Sequence, residues 1–151
     1  GGLALHPGDV DLDDILLAEA ARLRALGGVT VDVRGVQPAR VRGDAALLRQ
    51  VVRNLADNAA RHARSDVVFT AEPAGGGAVL TVEDDGAGVA ASERSRIFER
   101  FVRLDDARAR DAGGSGLGLA IVREIVRAHG GDVRVDAGRS GGALFVVTLP
   151  G

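Results

Sequence analysis

Three apolar stripes at helical spacing, set between runs of alternating β-branched residues, constrain this chain more than any other feature. Residues 11–26 carry Leu12, Ile15, Leu16, Ala20, Leu23 and Leu26 on one stripe, stopped by Gly27 and Gly28. Residues 44–63 begin at Asp44, an N-cap residue type, and repeat the pattern with Leu48, Val51, Val52, Leu55 and Ala59. A third helix is expected from Leu117 to His129, ending at Gly130. Between them, residues 29–34, 67–71, 78–82, 133–135 and 144–149 read as strands, with a short one at Val41. The stretch 72–77, rich in Gly, is a hairpin signal. Each stripe and each strand face must be buried against another layer. The order therefore predicts an α+β two-layer sandwich, a mixed and mainly antiparallel sheet of about five strands on about three helices.

At 151 residues one core is the natural solution, and residues 11–151 are expected to form a single domain behind a leading segment, 1–10. With four Phe and no Tyr or Trp, aliphatic side chains must fill that core. A net charge of −2 gives no electrostatic reason to expect nucleic acid. Cysteine is absent, which excludes disulfides and thiolate metal sites. No apolar run approaches the ~18 residues of a membrane span. Methionine is absent even at position 1, so the chain is expected to be a piece of a longer protein.

Four short stretches carry chemistry. Asn54, Asn58 and Arg61 share a helix face beside the apolar stripe, with His62 adjoining. An Asn carbonyl is a neutral oxygen ligand suited to Mg²⁺ that keeps water and phosphate oxygens, and an Arg one turn on can pair with phosphate. Taken alone, this is also what an exposed polar face looks like. Asp84 ends a strand and precedes Gly86 and Gly88, and a carboxylate there can accept an amino group of a base. Such a bond to a charged acceptor is worth about 1.5–3 kcal/mol. Alone, it is equally an acidic turn. Residues 113–119 place Gly114, Ser115, Gly116, Leu117, Gly118 and Leu119 at a helix start, where unpaired N–H groups favour an anion. No Lys-Ser/Thr follows the last Gly, so this is not a Walker A loop. Between the glycine clusters, Ile97, Phe98, Phe101 and Leu104 form one amphipathic patch before a charged run. Gly86, Gly88 and Ala91 also fit a dinucleotide fingerprint, but the helix and acidic strand end that motif needs do not follow.

Together, in this order, the four stretches resemble the nucleotide-binding boxes of the catalytic, ATP-binding domain of bacterial sensor histidine kinases, over about residues 11–150. The resemblance implies the Bergerat, or GHKL, form of the sandwich. It implies Mg²⁺·ATP as ligand, with Asn58 on the metal and Asn54 a catalytic helper beside it. Asp84 would read adenine, with Gly86, Gly88, Arg61 and His62 lining the pocket. The glycine box from Gly114 to Leu119 would hold phosphate, and Arg103 would reach the γ-phosphate as a catalytic residue. Three departures stand out: Arg61 where the family has Lys, His62 where it has Tyr, and Ala143 where it has Thr or Ser.

The resemblance also says what is missing. A sensor kinase needs a helical phosphoacceptor His beside an acidic residue. His6 is followed by Pro7 and Gly8, His62 belongs to the first box, and His129 ends a helix. The acceptor is therefore expected on a separate domain of the same parent protein, with a response regulator downstream. This piece is expected to be cytoplasmic and monomeric and to make no direct membrane contact, with anchoring of the parent left open. Related ATPases (type II topoisomerases, mismatch-repair and chaperone members) have Glu where Asn54 stands, and Asn cannot act as a general base. Rapid hydrolysis is thus not expected. Two other readings stay open at this point: an anti-sigma-factor-type serine kinase of one domain, and a superfamily ATPase or ATP-gated interaction module.

Overall fold

The computed structural model describes residues 3–99 and 118–151. In chain order the elements are β1 (Gly8–Asp11), α1 (Leu12–Leu26), β2 (Thr30–Val36), β3 (Arg40–Gly43), α2 (Ala45–His62), β4 (Asp66–Ala74) and β5 (Gly77–Asp84). Two 3₁₀ turns follow, Ala91–Glu93 and Arg96–Phe98, then α3 (Gly118–Ala128), β6 (Asp132–Ala137) and β7 (Ala143–Leu149).

Five strands form one sheet in the order β2-β4-β5-β7-β6, parallel at β2/β4 and antiparallel elsewhere. The parallel pair requires a crossover, and α2 supplies it, which places that helix across the sheet. Along α2, Leu48, Val51, Val52, Leu55, Ala56 and Ala59 are buried, so the expected stripe faces the core. Burial of each Leu or Val contributes roughly 1.5–3 kcal/mol. From the sheet, Val67, Phe69, Ala71, Leu80, Val82, Phe145 and Val147 meet it in one cluster with α1 and α3. The sandwich is thus mixed and mainly antiparallel, with its three described helices on the sheet.

The local signals act as the residue types dictate. The Asp44 side chain accepts from the Leu47 N–H, a true N-cap. Gly75 and Gly76 sit at φ 56° and 84° between paired Ala74 and Gly77, a two-residue turn of the primed type that suits strand twist. Gly130 at φ 79° ends α3: its N–H donates to the Arg127 carbonyl and that of Gly131 to Val126. Those two bonds are the Schellman pattern.

Two expectations change. Leu26, counted on the first stripe, is 71% exposed, because α1 stops there and Gly27 turns the chain away. The leading segment, 1–10, contains most of a strand: β1 pairs antiparallel with β3, Val10 opposite Val41, and both are buried. That pairing joins residues about thirty apart, which a local pattern behind Pro7 and Gly8 does not reveal.

Candidate functional site

The site is built where the C-terminal half of α2, the end of β5, the start of α3 and the start of β7 meet. Asn54 and Asn58 are half-buried on α2, and Arg61 and His62 are exposed at its last turn. The Asn54 Nδ2 donates to the Gly118 carbonyl at 3.2 Å, a contact between residues 64 apart. It brings the asparagine face of α2 against the first residue of α3. Asn58 lies one turn on, and its side chain makes no hydrogen bond to any described residue. Among the described residues no cluster of three His, Cys, Asp or Glu could hold a metal unaided. An Asn oxygen at this place suits a cation that keeps phosphate and water as further ligands, as Mg²⁺ does.

Asp84, at the end of β5, is 2% exposed. Its Oδ1 accepts the Gly86 N–H at 2.8 Å and the Ala143 N–H at 3.3 Å. Two backbone donors fix the carboxylate, and among the described residues no hydrogen bond reaches Oδ2. Ala143 stands directly beside Asp84, so where the family has a hydroxyl this chain contributes a backbone N–H alone.

The glycines around Asp84 are demanded by packing. A Cβ on Gly86 would lie 2.1 Å from the His62 carbonyl oxygen, and one on Gly88, at φ 78°, 2.4 Å from that of Gly141. A Cβ on Gly142 would lie 2.0 Å from the Asp84 carbonyl oxygen and 2.7 Å from its Oδ1. The turn is clamped between the end of α2 and the β6–β7 connection. Asp85, which no sequence motif singles out, completes the clamp by accepting from the Arg64 and Ser65 N–H groups and the Ser65 hydroxyl. The Ser65 amide in particular holds its carboxyl well below the usual carboxylate range. The signal that could have found it is its position next to Asp84, opposite the two polar residues that follow α2.

Phe98 is buried and meets Phe145 edge to face, ring centroids 6.0 Å apart at 88°. The amphipathic patch thus docks on the sheet at Phe98. Gly118 is exposed and Leu119 half-buried at the start of α3. Phe101, Arg103, Gly114, Ser115, Gly116 and Leu117 lie outside the described residues. An open cavity of about 450 Å³ flanks β2, but three of its charged groups already have partners: Arg34 pairs with Asp32, and Arg24 donates to the Val31 carbonyl. Asp32 is held down to about 2 by that Arg34 contact. The cavity offers little for chemistry.

The gathered segments have counterparts in known proteins. Residues 43–151 match the family model described as histidine kinase-, DNA gyrase B-, and HSP90-like ATPase. The sensor protein RstB of Escherichia coli is 48% identical over 107 residues, which are 71% of this chain and 25% of that protein. The sensor-like histidine kinase SenX3 of Mycobacterium tuberculosis is 38% identical over 147 residues, 94% of this chain and 36% of that protein. The chain therefore spans well under half the length of either relative. Among solved structures, a mycobacterial sensor histidine kinase, MprB, superposes with a TM-score of 0.85 at 36% identity, covering 95% of this chain and 98% of that one. The ATP-binding domain of PrrB from Mycobacterium tuberculosis does so at 0.80 and 30%, covering 96% and 97%.

Proposed function

From the premise that this chain belongs to the family of histidine kinase-, DNA gyrase B- and HSP90-like ATPases, on its sensor histidine kinase branch, we propose that it binds Mg²⁺·ATP and donates the γ-phosphoryl group to a histidine on another domain of its parent protein. The observation that carries the reading is the bond from Asn54 to Gly118, which draws the two-asparagine helix onto the end of the glycine box.

Each residue then has a task. The Asp84 Oδ2, left open by the two amides that hold Oδ1, accepts the exocyclic amine of adenine. Asn58 holds the magnesium ion, which when bound neutralises phosphate charge. Asn54 orients the start of α3 through Gly118, whose helix N-terminus favours the phosphates. Arg61 and His62 flank the pocket from the last turn of α2. Gly114, Ser115, Gly116, Leu117 and Arg103 are assigned to phosphate by resemblance alone, with Arg103 on the γ-phosphoryl group.

Transfer breaks the bond between the γ-phosphorus and the β,γ-bridging oxygen and forms a phosphorus–nitrogen bond on the acceptor imidazole. The imidazole loses its N–H proton to solvent, and ADP leaves. Asn54, where related ATPases carry Glu, cannot act as a base to activate water. The phosphoryl group then passes to a response regulator as the phosphorus–nitrogen bond breaks, and the piece works in the cytoplasm. The serine-kinase and ATPase readings gain no specific support from the geometry.

The test mixes this chain with the parent's phosphoacceptor domain and γ-labelled ATP. The proposal expects acid-labile label on that domain, lost when its histidine is replaced. Acid-stable label on serine, or none with ATP bound, would contradict it.

A further inference from the structure

His129 lies at the far end of α3 from the glycine box, and its ring is used twice. Nδ1 is 2.8 Å from the Ile125 carbonyl oxygen, which can only accept, so Nδ1 carries the proton. Nε2 then presents a lone pair, and it accepts the backbone N–H of Asp44 at 3.0 Å. The two partners fix one neutral tautomer between them.

The Asp44 N–H needs such an acceptor. In a capping box the third residue of the helix, Glu or Gln, reaches back to the N–H of the N-cap. Here that residue is Leu47, which has no acceptor to offer. A ring 85 positions away takes its place. Space is kept for it: a Cβ on Gly43 would lie 2.8 Å from the His129 ring and 3.0 Å from Leu48.

The contact also sets a register. Asp44 meets His129 and Asn54 meets Gly118, so α2 and α3 run antiparallel, tied at two points. Ten residues separate the two ties along α2 and eleven along α3, lengths of about 15 and 16.5 Å at the helical rise. Two ties at matching separations remove the freedom of one helix to slide along the other. We propose that His129 is a positioning residue for the nucleotide site: by accepting the N-cap amide of α2 it holds Asn54 and Asn58 at the level of the α3 N-terminus. The inference rests on the Mg²⁺·ATP reading above and adds a residue remote from the ligand.

The test uses the 151-residue chain, with Mg²⁺·ATP titrated calorimetrically at a temperature where melting curves show every variant fully folded. His129→Ala is expected to weaken binding about fivefold, the ratio a lost hydrogen bond of ordinary strength produces. Gly43→Ala, which crowds the ring without altering it, should weaken binding similarly, and the two should not add in the double variant. His129→Gln, whose amide oxygen can accept the same N–H, should restore affinity to within about twofold. If His129→Ala does not fold, Gly43→Ala and the Gln variant still decide. Lower melting temperatures with unchanged affinity would make His129 a structural residue only and overturn the inference. Wild-type chain that fails to bind Mg²⁺·ATP would instead remove the functional reading, and this inference with it.

Discussion

Asp84 concentrates the site's chemistry in one side chain. It is buried, its Oδ1 is fixed by two amides, and on the proposed reading it is the carboxylate that selects the purine amine. Asp84→Ala is expected to lower ATP affinity by roughly tenfold or more in a calorimetric titration, the loss of a charged acceptor. Gly142→Ala probes the same spot sterically. Its Cβ would intrude on Asp84, so an overpacking penalty of about 1–3 kcal/mol is expected in denaturant melts, together with weaker nucleotide binding. Asp85 gives the pH dependence. Its folded-state pKa is depressed by the Ser65 amide, so the stability it contributes is complete above the unfolded value of about 3.9 and is lost as pH falls below that. In melts from pH 6 to pH 2, Asp85→Asn should flatten the acid limb relative to wild type; an unchanged limb would mean the clamp contributes nothing through charge. Of these residues only Asp84 announces itself in the sequence. Asp85 and Gly142 matter through contacts with Ser65 and with Asp84 itself, made by backbone that is remote along the chain.

The helices and hairpins were the most legible elements, since each carries its own punctuation. Asp44, Gly76 and Gly130 do in the structure what their residue types suggest. Asp44→Ala removes the side-chain cap and the acceptor for the His6 N–H, and should cost about 1 kcal/mol or somewhat more. For a chain of this length that is a fall of about 2–4 °C in melting temperature by calorimetry. β1 was not legible, because four residues behind a proline gain strand character only from β3. Leu26 misled for the opposite reason: its spacing continues the stripe, but the helix has ended.

At the scale of the molecule, the order of periodicities foretold the sandwich, because stripes and alternating strands have few ways to bury one another. Strand order did not follow from it. The parallel β2/β4 pair is imposed by the α2 crossover, a long-range event with no local signature. The site was legible as four boxes, and among the described residues Asn54 of the first meets Gly118 at the end of the last. Since Asn54 cannot activate water, the chain alone should release phosphate from ATP at well under about one turnover per second, an ordinary enzyme rate, in a coupled phosphate assay.

The most direct measurement of whether these segments act as one site is a calorimetric titration of the 151-residue chain with ATP, with and without Mg²⁺, repeated on Asn58→Ala. The expected result is one saturable site that Mg²⁺ tightens in the wild type and leaves unchanged in Asn58→Ala. No saturable heat up to about 1 mM nucleotide, or equal tightening by Mg²⁺ in both proteins, would contradict it.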